Sequence, residues 1–244
     1  MTEKLLTELP EKFDSVKANF FEIQENIARA AEKSGRSFDD ILFLAATKTV
    51  EPEVINYAIS LGLKYIGENK VQELLSKYDD YHLDHCQLQL IGHLQTNKVR
   101  QIIGKVSMIQ SVDSLKLANE ISKQSKKNDV STDILIEVNI GREENKSGVL
   151  TENLDELIEN ISKLDNVHIK GLMAIPPICD KKTDVCKFFD KMYKLFIDIS
   201  DKTLDNVCMD YLSMGMSDDY EEAIISGANM VRIGSSLFGA RIYR

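Results

Sequence analysis

Eight short apolar runs, each followed by a helical pattern, alternate along the chain from residue 41 onward. The first run, ILFLAAT over 41–47, is apolar at almost every position, which is typical of a parallel strand buried on both faces. Strands that are joined through helices run parallel in one sheet. The predicted strands lie at 41–47, 64–66, 87–91, 106–110, 133–139, 167–174, 209–213 and 230–234.

A closed α/β barrel is built from eight parallel strand–helix units, which is the number predicted here. The 244 residues of this chain also match the ~250 that such a barrel uses. An open doubly wound sheet is the alternative, and it requires a glycine-rich turn after the first strand. That strand ends in Thr47-Lys48-Thr49, with no glycine. We therefore predict an α/β protein with a single (β/α)8 TIM barrel at about 41–244, in one domain that spans 1–244.

An extra helix is predicted before the barrel, over about 11–34. Phe13, Val16, Phe20 and Ile23 begin an apolar stripe that recurs at steps of three and four residues, and Gly35 is a suitable stop signal. The stripe is expected to pack on the barrel, with a dimer contact as the alternative. We therefore expect a monomer or a weak dimer.

Composition limits the classes of function. A net charge of −9 argues against general nucleic-acid binding, which needs a basic face. No run approaches the ~18 apolar residues of a membrane span, and the early acidic residues do not fit a secretory signal. The four cysteines form no CxxC pair, which favours a reduced cytoplasmic protein without a metal site.

Lys48 is the most informative residue at a predicted strand end. It follows a buried strand directly, and loss of solvation lowers the pKa of a lysine. A neutral amine can attack a carbonyl group and form a Schiff base. The alternative is a lysine whose long stem simply reaches solvent from the barrel mouth.

The last two strand ends predict an anion site. Strand seven runs into Ser213-Met214-Gly215-Met216-Ser217, and strand eight into Gly234-Ser235-Ser236, which opens a helix. Glycines allow close approach of the backbone, and amides at a helix start bind phosphate. Ser217 and Ser235 could instead cap helices. Arg232, within strand eight, either points into the mouth or pairs with a buried acid.

Several segments, in order along the chain, resemble the pyridoxal 5′-phosphate homeostasis protein family, also known as YggS or PROSC proteins. The resemblance covers nearly the whole chain from about Ile23, and seven matching segments in order make it specific. These segments are Ala46-Thr47-Lys48-Thr49, Gly67-Glu68-Asn69, Ile91-Gly92-His93-Leu94-Gln95, Asn139-Ile140 with Lys146-Ser147-Gly148, Gly171-Leu172-Met173 with Ile175-Pro176-Pro177, Leu212–Ser217 and Val231-Arg232-Ile233-Gly234-Ser235.

This resemblance implies a fold-type III barrel like the N-terminal domain of alanine racemase, with pyridoxal 5′-phosphate (PLP) as cofactor. It implies an internal aldimine on Lys48, a pyridine nitrogen facing Arg232, and a ring lined by Asn69 and Met216. The residues implied to hold the phosphate are Ser213, Gly215, Ser217, Gly234 and Ser235.

The expected function is to bind PLP and to buffer or deliver it, without substantial catalytic turnover. Two features lead to the expectation that turnover is absent. An arginine leaves the pyridine ring neutral, and a neutral ring stabilises a carbanion poorly. The chain also leaves no room after Gly239 for the domain that supplies an opposing base in fold-type III racemases. The alternatives are an amino-acid racemase or decarboxylase, and a Schiff-base aldolase without a cofactor. Client apoenzymes are the expected partners.

Overall fold

A computed structural model describes residues 3–239, and its side chains from residue 9 onward. The predicted domain, 1–244, thus extends beyond the described residues at both ends. Eight parallel strands pair in sequence order, and β8 pairs with β1 to close the barrel. The strands are β1 (Leu42–Ala46), β2 (Tyr65–Glu68), β3 (Gln87–Leu90), β4 (Met108–Val112), β5 (Thr132–Val138), β6 (Val167–Ala174), β7 (Val207–Ser213) and β8 (Met230–Ile233).

The helices surround this barrel and confirm the predicted fold class. They are α1 (Glu3–Lys33), α2 (Pro52–Ser60), α3 (Val71–Lys77), α4 (Leu115–Lys127), α5 (Leu154–Ile161), α6 (Lys182–Ser200), α7 (Tyr220–Ile225) and α8 (Ser235–Phe238). Short 3-10 helices lie at Phe38–Asp40, Tyr78–Asp80, Thr96–Gln101 and Thr151–Asn153.

Helix α1 begins earlier than the predicted residue 11 and ends at Lys33, where Gly35 adopts a φ of 74°. The Gly35 amide donates to Glu32 O, and the Arg36 amide to Ala31 O, so the last carbonyls are satisfied. The apolar stripe of α1, including Phe20 and Ile27, is buried against the barrel body. Contacts of α1 with α2, α7 and α8 close the outside of the β8–β1 seam.

Three local details differ from what the sequence pattern indicates. The pattern over 96–103 predicts a helix, and the segment forms a short one, the 3-10 helix Thr96–Gln101. Thr151 has the residue type and position expected of a cap on α5, but it starts a separate 3-10 turn before α5, and its hydroxyl bonds Glu152 at 3.3 Å. Strand β4 extends two residues beyond the predicted end at Gln110, so this side chain is buried within the strand rather than placed at its end.

Candidate functional site

The nine residues predicted for the site belong to four neighbouring strands of the closed barrel, in the order β7, β8, β1 and β2. Carboxyl ends of parallel strands form the face on which barrel enzymes carry their sites. The fold therefore brings residues that are far apart in sequence to one edge of the mouth. They are Ser213, Gly215, Met216 and Ser217 (β7 and its loop), Arg232, Gly234 and Ser235 (β8 and its loop), Lys48 (after β1) and Asn69 (after β2).

Lys48 lies two residues beyond the end of β1, and its side chain is half-buried. The backbone before it is fixed in the barrel, because the Thr47 amide donates to Gly67 O at 3.0 Å. The loop after β8 lies against this strand end: a Cβ on Gly234 would stand 3.2 Å from Ala46 O. A larger residue would push this loop away from the strand that leads to Lys48.

Arg232 lies inside the barrel and is only 4% exposed. Its Nη1 donates to Ser213 Oγ at 2.6 Å and its Nη2 to Ala174 O at 3.0 Å. Burial lowers the pKa of Arg232 to about 10, partly offset by the carboxylates of Glu137 and Asp219. At neutral pH the guanidinium therefore remains charged and can only donate hydrogen bonds.

Ser213 lies deeper in the barrel than a loop residue would, and it is fully buried. Its hydroxyl accepts from Arg232 and donates its one proton to Gln110 Oε1 at 2.7 Å. Gln110 Nε2 in turn donates to Gln89 Oε1 at 2.6 Å. A polar chain thus runs from Arg232 across the barrel interior, and the Ser213 hydroxyl could reach a phosphate only by leaving Gln110.

The loops after β7 and β8 meet at the hydroxyl of Ser217. Ser217 Oγ accepts hydrogen bonds from the amides of Gly234 and Ser236, both at 3.2 Å. Ser217 therefore caps the start of α8, not of α7. Gly215, with a φ of 92°, turns the first loop so that its carbonyl accepts from the Arg232 amide at 3.0 Å. Two backbone amides are in this way directed at one oxygen atom.

Three buried acceptor atoms near the mouth find no hydrogen-bond partner among the residues that the structure describes. They are Glu68 Oε2 at the end of β2, Asn69 Oδ1 just after it, and Glu137 Oε2 on β5. Burial raises the pKa of Glu137, although the hydrogen bond from Ser147 Oγ to its other oxygen acts in the opposite direction. Unsatisfied buried acceptors of this kind indicate a place where a ligand or water donates.

The sequence interpretation missed Glu137 and Gln89 as parts of this site, and it placed Gln110 at a strand end rather than inside the barrel. Each of the three is a polar residue within an otherwise apolar strand segment, in DILIEVN, QLQL and MIQSV. A polar residue that interrupts an apolar strand was the signal that could have identified them, since polar side chains are buried in strands only when they are paired. Met216, by contrast, was predicted and is 38% exposed, although its side chain is apolar.

The described residues contain neither a membrane-spanning helix nor a cluster of metal-ligating side chains. No helix between residues 3 and 239 is long and apolar enough to cross a membrane. Over the same part of the chain, no three His, Cys, Asp or Glu side chains group together as metal ligands would, and His82, His85 and Cys86 form no such group.

Comparison with known families places this geometry in context. Residues 20–242 match the family model described as alanine racemase, N-terminal domain. The chain belongs to this family. A curated relative from Aquifex aeolicus, named pyridoxal phosphate homeostasis protein, is 47% identical over 221 residues, which cover 91% of this chain and 96% of the relative. The resemblance predicted from the motifs is confirmed.

Solved structures of the family show the same barrel. PipY of Synechococcus elongatus with PLP bound aligns with a TM-score of 0.77 and 27% identity, over 87% of this chain and 100% of PipY. Alanine racemase of Clostridium difficile aligns with a TM-score of 0.69 over 94% of this chain and 57% of the racemase. The identity to the racemase is 18%, so that likeness concerns the fold alone.

Proposed function

We propose that this protein binds PLP at the carboxyl face of its barrel and serves in PLP homeostasis, buffering or delivering the cofactor inside the cell. The observation that carries the proposal is that an amine, a guanidinium and a pair of converging amides are positioned by three adjacent strands. Lys48 follows β1, Arg232 lies in β8, and Ser217 at the end of β7 meets Gly234. The name of the Aquifex aeolicus relative and the PLP bound to PipY support the same assignment.

The phosphate of PLP fits the place where the amides of Gly234 and Ser236 converge. These amides now donate to a neutral hydroxyl at 3.2 Å, and an anion accepts such bonds more strongly. Gly215, Ser217, Gly234 and Ser235 are the residues that we assign to the phosphate. Ser213 is assigned differently from the sequence expectation, because its hydroxyl is committed to Gln110 and Arg232: we propose that it orients the guanidinium.

The remaining residues would hold the ring. Bound PLP supplies an aldehyde that condenses with a lysine amine to a Schiff base, and Lys48 is the lysine assigned to it. Arg232 would donate to the pyridine nitrogen, and Asn69 and Met216 would line the ring. The unpartnered Asn69 Oδ1 is consistent with an acceptor that faces the ligand.

We further propose that the protein carries the cofactor without substantial turnover. A pyridine nitrogen that accepts from a permanently protonated arginine stays unprotonated, and such a ring withdraws electrons weakly. The relatives are named as homeostasis proteins rather than as enzymes. PLP-dependent apoenzymes are the proposed recipients, and four cysteines without disulfides fit a reducing cytoplasmic location.

Titration with PLP tests the binding proposal directly. We expect an absorbance band at about 420 nm, as a lysine-bound PLP gives, and borohydride should fix the cofactor irreversibly. Peptide mapping should then find the label on Lys48 alone. A label on other lysines, or no stable label at saturating PLP, would contradict the assignment. A Schiff-base aldolase would show no band with PLP.

Incubation with a single enantiomer of an amino acid tests the proposal that the protein carries PLP without catalysing a reaction. The PLP-loaded protein is expected to leave L-alanine unchanged on chiral analysis over hours, and to release no carbon dioxide from amino acids. Rapid racemisation or decarboxylation, lost in Lys48→Ala, would establish the enzyme alternative instead.

A further inference from the structure

A buried carboxylate at the end of β2 lies beside the backbone that carries Lys48. Glu68 is fully buried, and its Oε1 accepts from Thr47 Oγ1 at 2.9 Å, Lys77 Nζ at 3.0 Å and Tyr81 OH at 2.7 Å. Lys77 ends α3 and Tyr81 follows the next turn, so these contacts lie on the helix side of β2. We name Thr47, Glu68, Glu73, Lys77 and Tyr81 the Glu68 cluster.

The Glu68 cluster contacts the chain on both sides of Lys48. On one side, Lys77 Nζ donates to Thr47 O at 3.2 Å, in addition to its bond with Glu68. On the other, the Thr49 amide donates to Glu73 Oε1, which also accepts from Lys77 Nζ at 2.7 Å. Both peptide neighbours of Lys48 are therefore tied to the same ammonium group, one directly and one through Glu73.

Thr49 gives this arrangement a conformational consequence. Its φ is 63°, in the left-handed region that a β-branched residue rarely adopts. Such a conformation persists only when surrounding contacts impose it. The bond from the Thr49 amide to Glu73 is a contact of that kind, and it turns the chain sharply just after Lys48.

The electrostatics depend on Lys77. Its side chain is 12% exposed and lies between two carboxylates, Glu68 and Glu73. Although burial alone would raise the pKa of Glu73, the bonds from Lys77 and from the Thr49 amide lower it. Without the ammonium, two carboxylates would repel each other next to the backbone at Lys48, and the Thr47 carbonyl would lose its donor.

We propose that Lys77, acting with Glu73, is a positioning residue that holds the Lys48 backbone so that the Lys48 amine is presented to the barrel mouth. This inference rests on the proposed function and deepens it. The phosphate residues belong to β7, β8 and their loops, whereas the charged members of the Glu68 cluster, Glu68, Glu73 and Lys77, belong to β2 and α3. The Glu68 cluster should therefore govern the covalent step at Lys48 and leave the non-covalent capture of the phosphate intact.

The test compares Lys77→Met with wild type in two measurements. Stopped-flow absorbance and borohydride trapping give the rate at which the link to Lys48 forms. Competition by pyridoxine 5′-phosphate, which has the phosphate and ring but no aldehyde, gives the non-covalent affinity. We expect linkage to slow about tenfold or more, because a small misplacement of a reacting group has a large effect on rate. The affinity for pyridoxine 5′-phosphate should change less than about twofold.

Lys77→Arg supplies the rescue, since it restores the charge and the donors to Thr47 O and Glu73 and should recover most of the rate. Lys127→Met, at an exposed lysine that ends α4, is the matched control and should behave as wild type. Circular dichroism checks folding, and if Lys77→Met does not fold, Glu73→Gln carries the test, with slower linkage expected.

Two results would overturn the inference. One is linkage at the wild-type rate in the folded variants. The other is an equal loss of pyridoxine 5′-phosphate affinity, which would indicate a general structural defect. A wild-type protein that binds pyridoxine 5′-phosphate but forms no link to PLP would instead refute the proposed role of Lys48, and this inference with it.

Discussion

Lys48→Ala is expected to abolish the absorbance band at about 420 nm and to weaken PLP binding by about 100-fold or more, because the covalent bond is lost. The non-covalent contacts that we assign to Gly215, Ser217 and Gly234 should remain. The variant should therefore still bind pyridoxine 5′-phosphate with an affinity close to that of wild type. Equilibrium dialysis measures both ligands without relying on absorbance.

The fold should tolerate this change, since Lys48 lies beyond the end of β1 and its side chain is only half-buried. Thermal unfolding of the unliganded variant checks this point. Lys70→Ala, which removes an exposed lysine from the next loop of the barrel, is the matched control and should retain the band. A band of normal intensity in Lys48→Ala would show that another amine carries the cofactor.

The barrel could be predicted from the sequence because most of its strands are buried on both faces, although β7 exposes Cys208 and Asp210. In a strand buried on both faces, such as that in 41–47, nearly every side chain must be apolar, so the apolar composition alone predicts a buried strand. The ends of the strands were predicted less accurately. Strand β4 continues past the predicted end at Gln110 to Val112, because Gln110 is paired inside the barrel with Gln89 and Ser213. No local pattern in the sequence reports a partner that lies on another strand.

The same limit applies to the site. The proximity of Lys48, Ser217 and Gly234 was predictable, because strand order alone brings the ends of β7, β8 and β1 together. The Glu68 cluster could not be predicted, because Lys77 appears in the sequence as an ordinary basic residue at the end of a helix. Its ties to Thr47 O and Glu73 arise only from the way α3 packs against β2.

Gly171→Ala is expected to destabilise the protein by about 4 kcal/mol, which combines backbone strain with overpacking in the sheet. Gly171 lies in β6 with a φ of 146°, and a Cβ there would stand 1.8 Å from Tyr211 O. The carbonyl cannot move aside cheaply, because β7 pairs with β6 at this point and β6 also pairs with β5. Urea unfolding, followed by circular dichroism, measures the free energy of unfolding.

Gly171→Ala should also disturb the contacts of Arg232 in the barrel, since Gly171 lies where the pairing of β6 with β7 shifts register. That register places Met173 beside Ser213, and the next residue, Ala174, supplies the carbonyl to which Arg232 donates. Gly104→Ala is the matched control: its φ is 81°, but a Cβ there meets nothing within 4 Å. Gly104→Ala should lower the free energy of unfolding by only about 1 kcal/mol, from backbone strain alone. Equal losses in the two variants would show that backbone strain, rather than the close approach of β7 to β6, determines the need for glycine.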